Sequence, residues 1–311
     1  MKITYSIIAP IYNEIDNLPE LYRRVKEVMD SNGEPWEFIL VDDGSTDGST
    51  DKIRELAAAD RKIRPVIFAR NFGHQVAITA GWDYARGDAI VIIDADLQDP
   101  PETILELAKK WKEGYEVVYA VRGEREGESW FKLWTASLFY RLIYRITDVK
   151  IPVDTGDFRL MDRKVVDILK QMKERHRFPR GMSAWVGFKQ IGVTYKRAAR
   201  VAGVTKYPFS KMLRLALNAI TSFSYFPLQV ATFFGFFAAG LAIIAIPIVA
   251  VLRLVAGSHF FEGQTTTLVS VLFLGGVQLI SLGILGEYVG RLYDEAKGRP
   301  LYIVREAPQD E

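Results

Sequence analysis

Short apolar runs alternate with amphipathic segments from Lys2 to about Arg122. The runs predict strands at Ile3–Ala9, Phe38–Val41, Arg64–Ala69, Ala89–Ile93 and Val117–Ala120, and the segments between them predict helices at Leu18–Asp30, Ser49–Ala59, Gln75–Ala85 and Glu102–Glu113. Because the runs are short and rich in β-branched residues, the pattern favours an α/β fold with a mostly parallel sheet covered by helices on both faces. Ligands of such sheets bind beyond the carboxyl ends of the strands.

Two long stretches further along, Val230–Leu252 and Thr265–Gly286, contain no charged residue. Each is long enough to cross a hydrocarbon core of about 30 Å, so they predict a hairpin of two membrane-spanning helices. The loop between them carries one basic residue, whereas several flank the pair, namely Arg200, Lys206, Lys211 and Arg214 before it and Arg291, Lys297, Arg299 and Arg305 after it. By the positive-inside rule, we expect both termini and the first domain on the cytoplasmic side of the plasma or inner membrane.

Two further segments, Trp130–Ile146 and Tyr207–Ser222, mix aromatic and basic residues. They predict amphipathic helices at the membrane interface, although packing on the domain core is an equal alternative for the first. The expected organisation is a catalytic domain at 1–206, a juxtamembrane helix at 207–229, the two spans within 230–290 and a cytoplasmic tail at 291–311. Gly and Ala on the predicted spans could pack against a second copy and form a homo-oligomer.

The composition of the chain excludes or disfavours several classes of function. The 311 residues carry a net charge of only +2, so we expect no nucleic-acid partner. The chain has no cysteine, which excludes disulfides and thiolate catalysis, and its three histidines lie far apart in the sequence. The N-terminal segment has no long apolar region, so we expect no cleaved signal peptide.

Polar residues follow the first two predicted strands. In Ala9–Glu14, Tyr12 could stack on a base, although the segment also suits an ordinary turn in which Asn13 or Asp16 caps the next helix. In Val41–Gly48, Asp42 and Asp43 could accept hydrogen bonds from a base and a ribose, and Gly44 would permit a close backbone approach. One alternative for this second motif is a turn with a helix cap, for which Asp47 and Ser49 are candidates. A calcium loop is another, but the EF-hand pattern of alternating ligands that ends in Glu is missing.

The third motif, Asp94-Ala95-Asp96, follows the apolar run Ile90–Ile93. Paired carboxylates at a strand end suit Mg²⁺ or Mn²⁺, which bind proteins through one or two carboxylates together with substrate phosphates. Gln98 could add a neutral oxygen, and a solvated acidic turn is the alternative. The phosphate loop G-x-x-x-x-G-K-[ST] and the dinucleotide motif G-x-G-x-x-G are both missing.

Together the three motifs resemble family 2 glycosyltransferases of the GT-A fold over residues 1–206. The resemblance implies a Rossmann-like mixed sheet, a nucleotide-sugar donor and inversion at the anomeric carbon. It also implies metal binding at Asp96, with Asp94 near the ribose or the metal. The implied donor contacts are Pro10, Tyr12, Glu14, Asp42, Asp43 and Asp94.

Three downstream segments resemble the polyprenyl-phosphate branch of this family. Asp154–Arg163 resembles the segment with an acidic residue near the acceptor, which makes Asp157 a candidate for a catalytic role. Arg200–Tyr207 resembles the R-x-x-G-x-S-K-Y loop of that branch, with Thr205 in place of the usual Ser. Gly286–Tyr293 and Gly298–Tyr302 resemble the tail of bacterial undecaprenyl-phosphate glucosyltransferases with two membrane spans, and dolichol-phosphate mannose synthases are similar as well.

A lipid phosphate acceptor fits the physical chemistry of these residues. A phosphate monoester has a second pKa of about 6 and is largely ionised near neutrality, so it needs charge screening more than a strong base. Arg122, Arg200 and Lys206 could bind phosphate, although Arg200 and Lys206 could instead anchor lipid headgroups. His74 is interpreted as a helix-start or packing residue, and the segment 122–128 as a surface connection or a flap.

The predicted function is metal-dependent transfer of a hexose, preferably glucose from UDP-glucose, to a polyprenyl phosphate. GDP-mannose as the donor is an alternative. A polysaccharide synthase is disfavoured because the chain has no Q-x-x-R-W motif and too few spans for a polymer channel. A non-catalytic membrane scaffold that binds nucleotide sugars is the alternative outside enzymes.

Overall fold

The computed structural model describes residues 2–123, 155–196, 226–256 and 264–308. The chain divides into two compact units, one built on a β-sheet and the other on two long helices. The sheet unit contains β1 (Tyr5–Ile11), α1 (Leu18–Asn32), β2 (Trp36–Asp42), α2 (Ser49–Ala59), β3 (Ile63–Phe68), α3 (His74–Tyr84), β4 (Ala89–Ile92), α4 (Thr103–Lys112), β5 (Val117–Arg122), β6 (Thr155–Asp162), α5 (Arg163–Gln171), α6 (Pro179–Trp185), β7 (Gln190–Tyr195) and β8 (Val304–Glu306).

The eight strands form one sheet in the order β7-β5-β6-β4-β1-β2-β3-β8. All neighbouring pairs are parallel except those that include β6 or β8, which run antiparallel to their neighbours. The predicted mostly parallel α/β sheet is therefore confirmed. Because β1, β2 and β4 run parallel to one another, their carboxyl ends lie at one edge of the sheet, where parallel sheets bind ligands.

β1 is buried along its whole length, and the side chains of a strand alternate between the two faces of the sheet. Both faces of the sheet are therefore covered. Ile7 and Ala9 belong to a core that includes Leu21 of α1 and Ile104 of α4. Ile8 points to the opposite face, where a Cβ at Gly81 of α3 would lie 2.2 Å from its Cγ2 atom. This close packing of α3 fixes the helix whose first residues enter the candidate site.

The second unit consists of α7 (Phe226–Ala256) and α8 (Gln264–Ala296), which contain the two predicted spans. By length and composition, Phe226–Ala245 and Phe273–Ala296 could cross a membrane, and neither stretch is buried inside the part of the protein that the structure describes. Pro247 lies inside α7, as membrane helices tolerate. The predicted interfacial segments Trp130–Ile146 and Tyr207–Ser222 lie outside the described residues.

The end of the chain adds a strand that the pattern did not predict. After α8, the chain rejoins the sheet unit at Arg299, and β8 pairs with the outer edge of β3. The tail was expected only as a cytoplasmic extension, because three residues are too few to show a strand periodicity. The sheet is therefore completed by residues that follow the two long helices.

Candidate active site

The loops after β1 and β2 are joined by hydrogen bonds. The Asn13 amide donates to Ser45 Oγ at 3.0 Å, and the Thr46 amide donates back to Asn13 Oδ1 at 2.9 Å. The Glu14 amide donates to Ser49 Oγ at 3.1 Å. Asn13 has a φ of 54°, a left-handed conformation that asparagine tolerates better than most residues. The first two sequence motifs therefore form one fixed surface.

The predicted donor contacts of the first motif, Pro10, Tyr12 and Glu14, differ in how exposed they are and in whether they already form hydrogen bonds within the protein. Pro10 is buried within β1, whereas Tyr12 is 45% exposed and offers an accessible ring. The Glu14 carboxylate accepts a hydrogen bond from Asn17 Nδ2 at 2.7 Å. Asn17 itself stands at the start of α1, so the alternative that Asn13 or Asp16 caps this helix is wrong. Tyr12 is the residue of this motif with a surface free to meet a base.

Asp42 and Asp43, at the end of β2, are both buried and both hold loop backbone. Asp42 accepts hydrogen bonds from the Ser45 amide at 3.0 Å and from the Thr50 hydroxyl. Asp43 accepts from the Phe72 amide at 2.6 Å and from the Gly73 amide at 2.9 Å. Burial raises the pKa of Asp43, although these amides oppose the shift. Asp43 therefore connects β2 to the loop that leads into α3.

Gly44 makes the close approach that the sequence suggested, but its neighbour is protein backbone. Gly44 has a φ of +71°, and a Cβ there would lie 2.6 Å from the carbonyl carbon of Arg70 and 2.7 Å from the amide nitrogen of Asn71. Only glycine fits both this conformation and this contact. The contact sets the 70–73 loop directly against the Asp42–Asp43 turn.

Asp94 and Asp96 follow β4 in a tight turn. Leu97 has a φ of 57°, and the Gln98 amide donates to Asp96 Oδ1 at 3.1 Å. Asp94 Oδ1 is buried and accepts no hydrogen bond from the residues that the structure describes. Burial raises the pKa of Asp94 to about 6, against the opposing charge of His74. Asp94 is half-buried, and its Oδ1 atom is a buried acceptor that a nearby positive charge would stabilise.

His74 supplies part of that charge. Its Nε2 atom lies 3.6 Å from Asp94 Oδ1 and 3.3 Å from Asp157 Oδ2. Burial alone would lower the pKa of His74, but the hydrogen bond to Asp157 and the charge of Asp94 outweigh it and raise the pKa to about 9. His74 is indeed the first residue of α3, as expected, and it also connects β4 with β6 across the site.

Asp157 is clamped from more than one side. Arg180 Nε donates to its Oδ1 at 2.7 Å, and Gln75 Nε2 donates to its Oδ2 at 3.2 Å. Burial alone would raise the pKa of Asp157, but Arg180 and His74 hold it well below the usual range. An ionised carboxylate held in this way is a weak base and a rigid anchor.

Two more arginines lie beside Asp157. A nitrogen of the Arg122 guanidinium lies 3.2 Å from the Cβ position of Gly156, so Arg122 covers the backbone next to Asp157. Arg159 is buried, with its guanidinium donating to Ser183 Oγ and to the Gly156 carbonyl at 3.0 Å. Burial lowers the pKa of Arg159 to about 10, which still leaves it charged at neutral pH. The structure therefore brings Arg122 and Asp157 together with positive charge around them.

The sequence interpretation missed His74 and Arg180 as members of this cluster. The one signal for His74 is its place at the start of α3, on the connection that follows β3, because such connections lie at the sheet edge where the acidic motifs stand. No sequence pattern indicates a role for Arg180, because its ion pair with Asp157 of β6 depends on how α6 packs against the sheet. The predicted phosphate-binding residues Arg200 and Lys206 lie outside the described residues, as does the segment 124–128 of the predicted flap.

A model of the family described as Glycosyl transferase family 2 matches residues 6–169. A glycosyltransferase named YkcC from Bacillus subtilis (strain 168) is 53% identical over 305 residues, which are 98% of this chain and 94% of that protein. The bactoprenol glucosyl transferase of Shigella phage SfV is 43% identical over 309 residues, 99% of this chain and 100% of that protein.

Among solved structures, the mannosyltransferase PcManGT from Pyrobaculum calidifontis, in complex with GDP-Man and Mn²⁺, is 19% identical. The similarity covers 91% of this chain and 88% of that chain, with a TM-score of 0.46.

Proposed function

The chain belongs to glycosyl transferase family 2, and we propose that it transfers glucose from UDP-glucose to a polyprenyl phosphate at the cytoplasmic face of a membrane. The observation that carries the proposal is the 43% identity to a bactoprenol glucosyl transferase over nearly the full length of both chains. That protein's name combines a glucosyl group with a polyprenyl acceptor. The geometry of the sheet edge supports the same chemistry.

The donor would bind across the joined loops after β1 and β2. Tyr12 offers an exposed ring for stacking on a base. Asp42 and Asp43 keep acceptor capacity beyond their loop hydrogen bonds, because an ionised carboxylate has about four lone-pair sites. The fixed Asn13–Thr46 surface would let a nucleoside bind with little loss of loop entropy.

A divalent cation fits the end of β4. Asp94 Oδ1 has no hydrogen-bond donor among the described residues, and a cation would satisfy it. Among the residues that the structure describes, no group of three or more His, Cys, Asp or Glu side chains is arranged to hold a metal ion without a substrate. Asp94 and Asp96 alone are the usual protein share of a Mg²⁺ or Mn²⁺ site that substrate phosphates complete. When bound, such an ion would neutralise the charge that builds on the leaving diphosphate.

In the proposed reaction, a phosphate oxygen of the acceptor forms a bond to the anomeric carbon as the bond from that carbon to the diphosphate breaks. The configuration at the anomeric carbon inverts. The acceptor phosphate is already largely ionised near neutrality, with a second pKa of about 6, so no strong base is needed. Asp157, ionised and clamped by Arg180, would orient groups around the acceptor and not remove a proton.

Positive charge would keep the two anions together. Arg122 lies beside Asp157 and would contact the acceptor phosphate, with Arg200 and Lys206 expected to assist. His74, between Asp94 and Asp157, would balance their charge and fix their separation. The long apolar helices α7 and α8 would keep the site at the membrane that holds the acceptor.

One assay identifies the sugar donor. Membranes that contain the protein are incubated with a panel of labelled nucleotide sugars, UDP-glucose and GDP-mannose among them. We expect the label of UDP-glucose to enter the lipid-extractable fraction, and an Asp96→Ala variant to lose that transfer. Transfer only from GDP-mannose would replace glucose by mannose in the proposal, and equal transfer by Asp96→Ala would remove the metal role.

A further inference from the structure

The segment that returns to the sheet after α8, residues 299–308, reaches the same loop that holds Asp43; it is called here the return segment. We propose that it is a positioning element of the donor site, with Tyr302 as its principal positioning residue. The proposal rests on the function proposed above, because it holds that the return segment influences the binding of the nucleotide-sugar donor.

The return segment is fastened to the sheet by backbone and side-chain bonds. Phe68 pairs with Val304 in the β3–β8 ladder, and the Ala69 amide donates to the Ile303 carbonyl at 2.9 Å. Arg305 donates to the Ala69 carbonyl at 3.1 Å. These bonds continue beyond β3 into the chain that leads to the 70–73 loop. The segment therefore extends the sheet at the point where that loop begins.

Charged and polar side chains secure the two ends of the segment. Arg54 of α2 forms an ion pair with Glu306, and the Tyr302 hydroxyl donates to Asp83 Oδ2 at 2.8 Å. Arg175 donates to the Arg299 carbonyl at 2.5 Å. The return segment thus contacts α2, α3 and the chain after α5, so it is an integral part of the sheet unit.

A row of aromatic rings leads from Tyr302 to the donor site. The Tyr302 ring stacks on Phe68 with centroids 5.1 Å apart and planes at 17°. Phe68 in turn meets Phe72 edge to face, with centroids 5.6 Å apart. Aromatic pairs have defined geometry because of their ring quadrupoles. Displacement of the first ring therefore changes the space available to the third.

Phe72 ends this row at the carboxylate of Asp43. Its amide donates to Asp43 Oδ1 at 2.6 Å, and the Gly73 amide donates to Oδ2 at 2.9 Å. On its other side the loop packs against Gly44, with no room for a Cβ. The loop is therefore held between the Asp43–Gly44 turn and the aromatic row, and loss of Tyr302 would release one of these two supports.

Hydrogen exchange tests the structural part of the proposal without any need for turnover. In the full-length protein in detergent, Tyr302→Ala should speed exchange of the Phe72 and Gly73 amides by about two- to tenfold, the range given by the value of one aromatic pair. Tyr302→Phe loses the hydrogen bond to Asp83 but keeps the ring that stacks on Phe68, and it should protect both amides as the wild type does. Ile303→Ala, whose side chain is 55% exposed, is the matched control on the same segment.

Steady-state kinetics test the functional part. Tyr302→Ala should raise the KM for UDP-glucose by the same factor of about two to ten, with the KM for polyprenyl phosphate unchanged. A purely structural role would reduce the amount of active protein and leave both KM values alone. Tyr302→Phe should restore the donor KM. If Tyr302→Ala does not accumulate, Tyr302→Leu, which keeps apolar contact without stacking, takes its place with the same expectation.

The outcomes separate this proposal from the function on which it rests. Wild-type amide exchange in Tyr302→Ala, or an unchanged donor KM beside an active wild type, overturns the positioning role alone. A wild-type protein that binds no nucleoside diphosphate sugar overturns the proposed function and the donor-site assignment together. Faster exchange with a raised donor KM supports both.

Discussion

His74 Nε2 lies 3.3 Å from Asp157 Oδ2, so the first residue of α3 contacts the antiparallel strand β6 across the edge of the sheet. The same nitrogen lies 3.6 Å from Asp94 Oδ1. One imidazole thus connects the carboxylate proposed for metal binding with the carboxylate proposed to orient the acceptor. This relationship gives His74 a role that its neighbours in the sequence do not indicate.

Replacing His74 with Ala should therefore impair catalysis. Without the imidazole, Asp94 and Asp157 repel each other and shift, and misplacement of this kind lowers kcat by about ten- to a hundredfold. The turnover of labelled UDP-glucose into lipid measures the effect. His176→Ala alters an exposed histidine and is the control. Full turnover by His74→Ala would remove His74 from the site.

Replacing Arg180 with Ala should destabilise the sheet unit, because Asp157 is buried and would lose its main charge partner. Loss of one partner of a buried pair costs about 3–5 kcal/mol, and we expect about 2–3 kcal/mol here because Arg180 is partly exposed. Thermal unfolding in detergent reports the change. Adding Asp157→Asn to Arg180→Ala should recover part of the loss, and a double variant less stable than Arg180→Ala would contradict the pairing.

Replacing Gly44 with Ala should displace the 70–73 loop, because its φ is +71° and its Cβ would overlap Arg70. Gly33 is a matched control: its φ is +73°, and a Cβ there meets no atom of the described residues within 4 Å. Gly33→Ala should cost about 1–2 kcal/mol for the left-handed conformation. Gly44→Ala should cost about 1–3 kcal/mol more and should also weaken UDP binding. Equal losses in the two variants would contradict the packing argument.

Replacing Asp157 with Asn should reduce turnover without abolishing it. General-base catalysis is worth about 10²–10⁴-fold, and the ionised acceptor should need none of it. The rate with polyprenyl phosphate should rise with pH through the acceptor's second pKa of about 6 and then level off, in the wild type and the variant alike. A pH–rate profile from 5 to 9 checks this. A profile whose rising part disappears in Asp157→Asn would show that Asp157 takes the proton.

The sheet was largely predictable because its elements are local. The apolar run before Asp94 and the helix Ser49–Ala59 follow from period and turn residues within a few positions. Strands β6 and β7 were not assigned, and β8 was missed, because each depends on partners far along the chain. Three residues at Val304–Glu306 become a strand only because the edge of β3 is there to receive them.

Part of the candidate site follows from the same local patterns. Its acidic motifs stand at strand ends, where the fold gathers ligands, so Asp42, Asp43, Asp94 and Asp96 could be selected from the sequence. Their partners could not, because the contacts of Asp157 with Arg180 and of Asp43 with Phe72 arise from tertiary packing. The role of Gly44 shows the same limit: a close approach was expected, and the approaching group is the chain itself.

We propose that Asp94 and Asp96 hold a divalent cation that allows transfer from a nucleotide sugar to a lipid phosphate. Mass spectrometry of the lipid that the purified full-length protein forms from UDP-glucose and undecaprenyl phosphate tests this role of the cation. The reaction is run without additions, with chelator, with Mg²⁺ restored after chelation, and with the Asp96→Asn variant. We expect one hexose added per lipid phosphate by the wild type, no product with chelator, recovery with Mg²⁺, and at least about a hundredfold less product from Asp96→Asn. Undiminished product in the presence of chelator, or from Asp96→Asn, would contradict it.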